Sequence, residues 1–174
     1  MATGTVISLD EYLSTIYDPD REYVDGELIE RNMGEFDHAA LQGIIWGLLY
    51  AQRRRSGIHV FPELRVQVAK NRFRIPDLTV ILKKGQGGIL REPPFLCIEI
   101  LSPEDRASRL ESKIDDYLAF GVQYVWVIDP RERRAWSYTN EKRRELEAVL
   151  TTSNPHLSLS LEELFAAVDE DIEA

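Results

Sequence analysis

Two acids stand where acids are costly. Asp77 opens the aliphatic run "RIPDLTVIL", and Glu99 lies inside "FLCIEILS". A carboxylate stripped of water loses several kcal/mol unless something compensates its charge. On period-two alternation Asp77 shares a face with Ile75, Thr79 and Ile81, and Glu99 with Cys97 and Leu101, so neither sits on a visibly polar face. Adjacent strands run about 4.8 Å apart, so acids at facing ends of neighbouring strands can bracket one divalent ion. Oxygen ligands of this kind suit Mg²⁺ or Mn²⁺. The plainer alternative has Asp77 capping a turn and Glu99 paired with an arginine.

The helix expected after Glu99 supplies a third group. Its apolar stripe is Leu110, Ile114, Tyr117 and Leu118, with Arg106, Arg109 and Lys113 along one edge. Lys113 lies about 40° from Tyr117 on a helical wheel. Its stem can therefore run along the sheet while its ammonium reaches the acids. Arg106 and Arg109 are expected on a solvated edge, paired with Asp105, Glu111 or Asp116.

The elements that must position these groups are legible in outline. Ser8 and Glu11 form a capping box ahead of "LDEYLSTI", a short helix. Asp25-Gly26 marks a hairpin in "REYVDGELIERN". Leu41, Ile44, Ile45, Leu48 and Leu49 recur at helical spacing from Asp37 to Arg55, and Gly57 is placed to end that helix. Arg53, Arg54 and Arg55 at its C-terminus complement the macrodipole. "IHVFPELRVQVAKNRFRIPDLTVIL" reads as two strands joined near Lys70-Asn71. "FLCIEILS", which lacks alternation, reads as the centre of a covered sheet. Ser102-Pro103-Glu104-Asp105 is expected to start the next helix with Ser102 as cap, and Gly121 to close it. "YVWVID" and "RAWSYTN" form a hairpin around "PRERR". A strand "ELEAVLT" and a helix opening at "SLSLEELF" follow. The expectation is one α/β (α+β) domain over residues 1–174.

Composition narrows the function classes. No segment approaches the ~18 apolar residues of a membrane span, and the N-terminal residues lack a secretory pattern. Cys97 is alone, so no internal disulfide forms and a reducing, cytoplasmic setting is expected. The formal net charge of −9 argues against a chain held on nucleic acid mainly by electrostatics. It leaves room for a metal-dependent nuclease, whose site is itself acidic. Three scattered histidines and one cysteine give no zinc spacing, and there is no GxSxG elbow or phosphate-binding glycine loop.

"IPDLTVIL", "CIEILSPEDRASRLESKIDDYLAFGVQYVWVIDP" and the early "REYVDGELIERN…H" together resemble the Uma-two family of restriction endonucleases, within the PD-(D/E)xK nuclease superfamily. The resemblance runs from about Tyr12 to Val149. It implies a restriction endonuclease-like fold, a mixed central sheet flanked by helices. It also implies Asp77 and Glu99 as metal ligands, with the carbonyl of Ile100 as a third oxygen. Leu101 stands where the superfamily expects lysine, and Lys113 matches the helix lysine that replaces it. Glu27 and His38 match further family positions, for which a folding role is expected. The resulting expectation is a Mg²⁺- or Mn²⁺-dependent endonuclease acting on DNA as a homodimer, with Asp77, Glu99 and Lys113 catalytic. A non-catalytic nucleic-acid-binding module on the same fold is one alternative. An acid/base hydrolase using the two acids without metal is another.

Overall fold

The computed structural model describes residues 6–31, 36–85, 87–103, 106–142 and 145–172. Ser8 caps the first helix, α1 (Leu9–Ser14), its Oγ accepting from the Glu11 amide at 3.1 Å. Strands β1 (Arg21–Val24) and β2 (Glu27–Glu30) form the expected hairpin. Asp25 and Gly26 both have positive φ, 51° and 102°, the geometry for which a two-residue hairpin favours Asp-Gly. Helix α2 (Phe36–Ser56) buries Leu41, Ile45 and Leu49, four residues apart, on one stripe. Gly57, at φ 68°, ends it with its N–H on the Arg53 carbonyl.

The following stretch departs from expectation. It forms four strands rather than two: β3 (His59–Pro62), β4 (Val66–Ala69), β5 (Arg72–Arg74) and β6 (Leu78–Ile81). The turn after Pro62, with Glu63 at φ 50°, breaks the first run. Ile75-Pro76-Asp77 then carries the chain from one sheet to another, because proline cannot donate to a ladder. Only the Lys70-Asn71 turn falls where the sequence puts it.

Strand β7 (Leu96–Ile100) is buried along its whole length. Helix α3 (Ala107–Phe120) starts later than expected, with Arg106 at its N-cap and no side-chain cap. Two local features explain the delay. The Leu101 amide still bonds the Ile128 carbonyl at 2.8 Å, and Ser102 precedes a proline, which disfavours helical geometry there. Glu104 and Asp105, expected in the first turn, lie outside the described residues. Strands β8 (Tyr124–Asp129) and β9 (Arg134–Tyr138) form the predicted hairpin. The single strand expected at "ELEAVLT" is two, β10 (Glu145–Glu147) and β11 (Val149–Thr151), in different sheets. A short strand β12 (Ser158–Ser160) leads into α4 (Leu161–Ile172).

The central sheet has the order β10-β9-β8-β7-β6-β3 and is mixed: β7 and β8 run parallel, with α3 as their crossover, and the other pairs are antiparallel. A four-stranded sheet, β2-β1-β5-β4, stands beside it. Leu78, Val80, Ile98, Ile100 and Trp126 face α2 and α4, whereas Cys97, Val125 and Val127 face α3. Trp126 is fully buried, so it belongs to the core and not to a subunit interface; Trp136 and Tyr138 are half-buried against the α3 side. No described helix is long and apolar enough to cross a membrane.

Candidate active site

The β6–β7 register pairs Leu78 with Ile98 and Thr79 with Cys97, and one further step sets Asp77 opposite Glu99. Side chains directly opposite on antiparallel strands have Cβ atoms about 5 Å apart. Because Leu78, Ile98 and Ile100 face α2, both acids turn toward α3. The side chains of Asp77 and Glu99 are only 8% and 6% exposed, so their charges must be answered by protein groups.

Each oxygen has a partner. Asp77 Oδ2 accepts the Ile100 amide at 2.7 Å and lies 3.4 Å from His38 Nε2. Asp77 Oδ1 accepts from Arg31 Nη2 at 3.3 Å. Glu99 Oε1 accepts the Tyr117 hydroxyl at 2.6 Å, and Oε2 accepts from Lys113 Nζ at 2.9 Å. Lys113 Nζ is also 3.2 Å from Oε1 of Glu22, a buried acid on β1. The β1–β5 register, carried one step, puts Glu22 opposite Arg74. Arg74 Nη1 donates to Glu22 Oε2 at 3.0 Å, and the Ile75 amide donates to Glu22 Oε1 at 3.1 Å. Arg74 also donates to Asp116 and to the Ser112 hydroxyl, and Arg72 to the other oxygen of Asp116. Asp116 is thus taken by the β5 arginines, not by Arg106 or Arg109 as the sequence suggests. Those two arginines are exposed, as expected.

The groups line a cavity of about 250 Å³ with Asp77, Glu99, Lys113, Glu22, His38 and Arg31 in its wall. Ile100 and Arg109 border it too. Its electrostatics separate the two strand acids. Burial raises the Glu99 carboxyl, Lys113 lowers it, and the nearby Asp77 and Glu22 charges raise it again, leaving it at about 7. Burial also pushes Asp77 up, but His38, Lys113 and the Ile100 amide outweigh it, and its carboxyl falls below the usual range. Burial works against the Lys113 cation, yet Glu99, Glu22 and Asp77 together raise its pKa well above that of a free lysine. Lys113 is therefore a fixed cation and a hydrogen-bond donor.

Asp77, Glu99, Ile100 and Lys113, singled out from sequence, all come together here. Leu101, at the usual lysine position, is spent on packing against the α3-side core. His38, expected to serve folding, lies in the cavity, while Glu27 is exposed on β2 and outside it. Sequence reading missed Glu22, Arg31, Arg74 and the hydroxyl of Tyr117. The signal for Glu22 was weak. Tyr23 beside it reads as the inward residue, and only the packing of α3 buries the other face of β1.

The donor chemistry fits a hard divalent cation: two carboxylates facing across one strand pair, with a backbone carbonyl following directly at Ile100. Among the described residues no group of three or more His, Cys, Asp or Glu side chains forms a metal cluster, so the third protein oxygen would have to be a main-chain one.

The comparisons with known proteins agree with this architecture. A solved structure from Anabaena variabilis ATCC 29413, described as a putative nuclease belonging to DUF820, is 26% identical over 93% of this chain and 99% of its own, with a TM-score of 0.80. Nothing among curated proteins matches. The family described as "Putative restriction endonuclease", Uma2, matches residues 9–169, nearly the whole chain. That span holds the facing acids, the lysine that answers them and the helices that enclose the sheet; the chain belongs to the Uma2 family and has its restriction endonuclease-like fold.

Proposed function

We propose that the protein is a divalent-metal-dependent endonuclease that hydrolyses phosphodiester bonds of DNA. The observation that carries this reading is the meeting of Asp77, Glu99 and Lys113, from three different elements, in one cavity. Asp77, Glu99 and the Ile100 carbonyl would hold Mg²⁺ or Mn²⁺, which lowers the pKa of water and neutralises charge on a phosphate. The chain's own groups do the rest. Lys113, fixed by Glu99 and Glu22, directs N–H bonds toward the attacking water or a non-bridging phosphate oxygen, where negative charge builds up. Tyr117 holds Glu99 in one rotamer. His38, which borders the cavity beside Asp77, would hand a proton to the departing 3′ oxygen. Arg31 and Arg109 at the wall supply the local positive charge that a chain of net charge −9 otherwise lacks.

The test is incubation with plasmid, linear and single-stranded DNA, each with Mg²⁺, Mn²⁺ or EDTA. Cleavage is expected with metal, none with EDTA, and none from Asp77→Ala. Cutting that survives EDTA would move the reading to a metal-free acid/base hydrolase. Cutting both strands is simplest with two sites, and we infer a twofold dimer; sedimentation giving only a monomer would remove that part. A non-catalytic binding module is the second reading, favoured by one observation: both acids already have protein cations, Arg31 and Lys113. Wild type and Asp77→Ala that bind DNA alike and cut nothing would establish it.

A further inference from the structure

The two cations that answer the strand acids are held in different ways. Lys113 sits between two buried carboxylates, at 2.9 Å from Glu99 and 3.2 Å from Glu22. Arg31 sits between one buried and one open carboxylate, at 3.3 Å from Asp77 and 3.3 Å from Glu63, whose side chain is 55% exposed. The guanidinium spends one nitrogen on each partner, so neither contact is the bidentate fork that arginine forms at its tightest. Arg31 is also the partner of Asp77 Oδ1, while Oδ2 is fixed by the Ile100 amide. A cation that takes Oδ1 repels Arg31 across a short, poorly screened distance, and Arg31 has only one buried anchor where Lys113 has two, so Arg31 is the cation that yields. The displaced guanidinium keeps Glu63 as its outer anchor, at the lip of the same cavity.

We propose that Arg31 is an exchangeable counter-ion: it neutralises Asp77 in the metal-free protein and, once a divalent cation takes Asp77, swings to the lip and binds a phosphate of the substrate. The proposal rests on the nuclease reading above and adds to it an order of events. The metal clears the arginine, and the freed arginine strengthens the hold on DNA. Arg31 thereby couples the two binding steps, so that each ligand favours the other.

Mn²⁺ titration by calorimetry, without nucleic acid, tests the first half. Arg31→Met keeps most of the stem and removes the charge. It is expected to bind Mn²⁺ about tenfold more tightly than wild type, and Arg31→Lys to stay close to wild type. Glu63→Gln removes the outer anchor and leaves Arg31 on Asp77, so it should bind Mn²⁺ about threefold more weakly. In the Arg31→Met background the Glu63→Gln effect should vanish. Charge alone gives opposite signs at the two positions, but independent charges would add in the double variant, whereas an exchange that runs through Arg31 cancels there. The second half is read from binding of a short fluorescein-labelled duplex in Ca²⁺. There Arg31→Met should lose affinity several-fold and Arg31→Lys should recover most of it.

Wild type and Arg31→Met with equal Mn²⁺ affinity would overturn the exchange while leaving the metal site standing. Tighter Mn²⁺ binding with unchanged duplex affinity would overturn the phosphate role. No Mn²⁺ binding to wild type or to Arg31→Met would sink the metal-dependent reading and this proposal with it.

Discussion

Two buried charge clusters lie side by side in this protein and are balanced on different terms. In the lower one, Glu22 and Asp116 flank Arg74, which spends its nitrogens on both acids and on Ser112. Burial alone would raise Glu22, but Lys113, Arg74 and the Ile75 amide bring its carboxyl below the usual range. In the upper cluster burial raises the Glu99 carboxyl to about 7, because Lys113, shared with Glu22, only partly offsets it and Asp77 adds to it. Glu22 and Arg74 border the same cavity, but the lower cluster holds Glu22 as a carboxylate on protein donors alone, as a structural cluster does. In the upper one Asp77 is well compensated but Glu99 is not, the condition in which a cation from outside is welcome.

The difference can be broken most violently from below. Arg74→Met takes from buried Glu22 and half-buried Asp116 the cation they share, leaving Lys113 and Arg72 to answer them, and removing one partner of a buried ion pair costs about 3–5 kcal/mol. A fall in melting temperature of roughly 10 °C or more is expected. A drop of a degree or two would mean the lower cluster is not the structural one.

Lys113→Ala acts on both clusters at once but should be read in activity. A fixed donor aimed at developing charge is worth about 10²–10³ in rate. Cleavage should fall by that factor while calorimetric Mn²⁺ binding persists. Cleavage at the wild-type rate would remove Lys113 from the chemistry.

Metal sharpens the contrast further. Millimolar Mn²⁺ should stabilise the wild type by about 2.7 kcal/mol at one hundred times the dissociation constant, a rise of roughly 5–10 °C. Glu99→Gln should abolish most of that rise, and equal shifts in both proteins would mean that Glu99 does not hold the metal.

A last contrast is in pH. The folded-state carboxyl of Glu99 is raised from 4.5 to about 7. For an acid with a raised folded pKa, the unfolded chain gives up its proton first, so metal-free stability falls as pH climbs from about 4.5 to 7 and then levels. Glu99→Gln lacks this loss, so its stability advantage over wild type in EDTA should grow across that window. The Mn²⁺-induced rise should run the opposite way in the wild type, growing as pH climbs toward 7 and levelling above it, because the metal competes with that proton. Identical metal-free profiles for the two proteins would show that Glu99 is not the strained acid.

Much of this was legible before the fold was known, and the division has a physical basis. Asp77 and Glu99 stood out because a lone acid in an aliphatic strand breaks a local pattern, and Lys113 because of its angle to Tyr117 on one helix. Such clues span a handful of residues. Glu22 and Arg74 are 52 residues apart, and each sits on a strand that looks amphipathic in isolation; only the register of β1 on β5 and the lid of α3 make them a buried pair. Arg31 closes a hairpin that reads as surface. The late start of α3 was hidden for a similar reason, since the pull on Leu101 comes from β8, a strand further along the chain.

The strand pair that carries the acids has a working end and a free end. Asp77 and Glu99 meet at one end of the β6–β7 pair, and the connection through residues 82–95 closes the other. The Phe95 amide, at the end of the connection, bonds the Val80 carbonyl at 2.9 Å and extends the ladder, so length changes earlier in the connection leave the two carboxylates facing each other. One residue inserted within β6 or β7 does the reverse: it turns an acid from the α3 side to the α2 side, into the packed core of Leu41, Ile45 and Leu49. The early part of this connection can therefore change in size without cost to the acids, while the few residues of strand between loop and site admit no change in number.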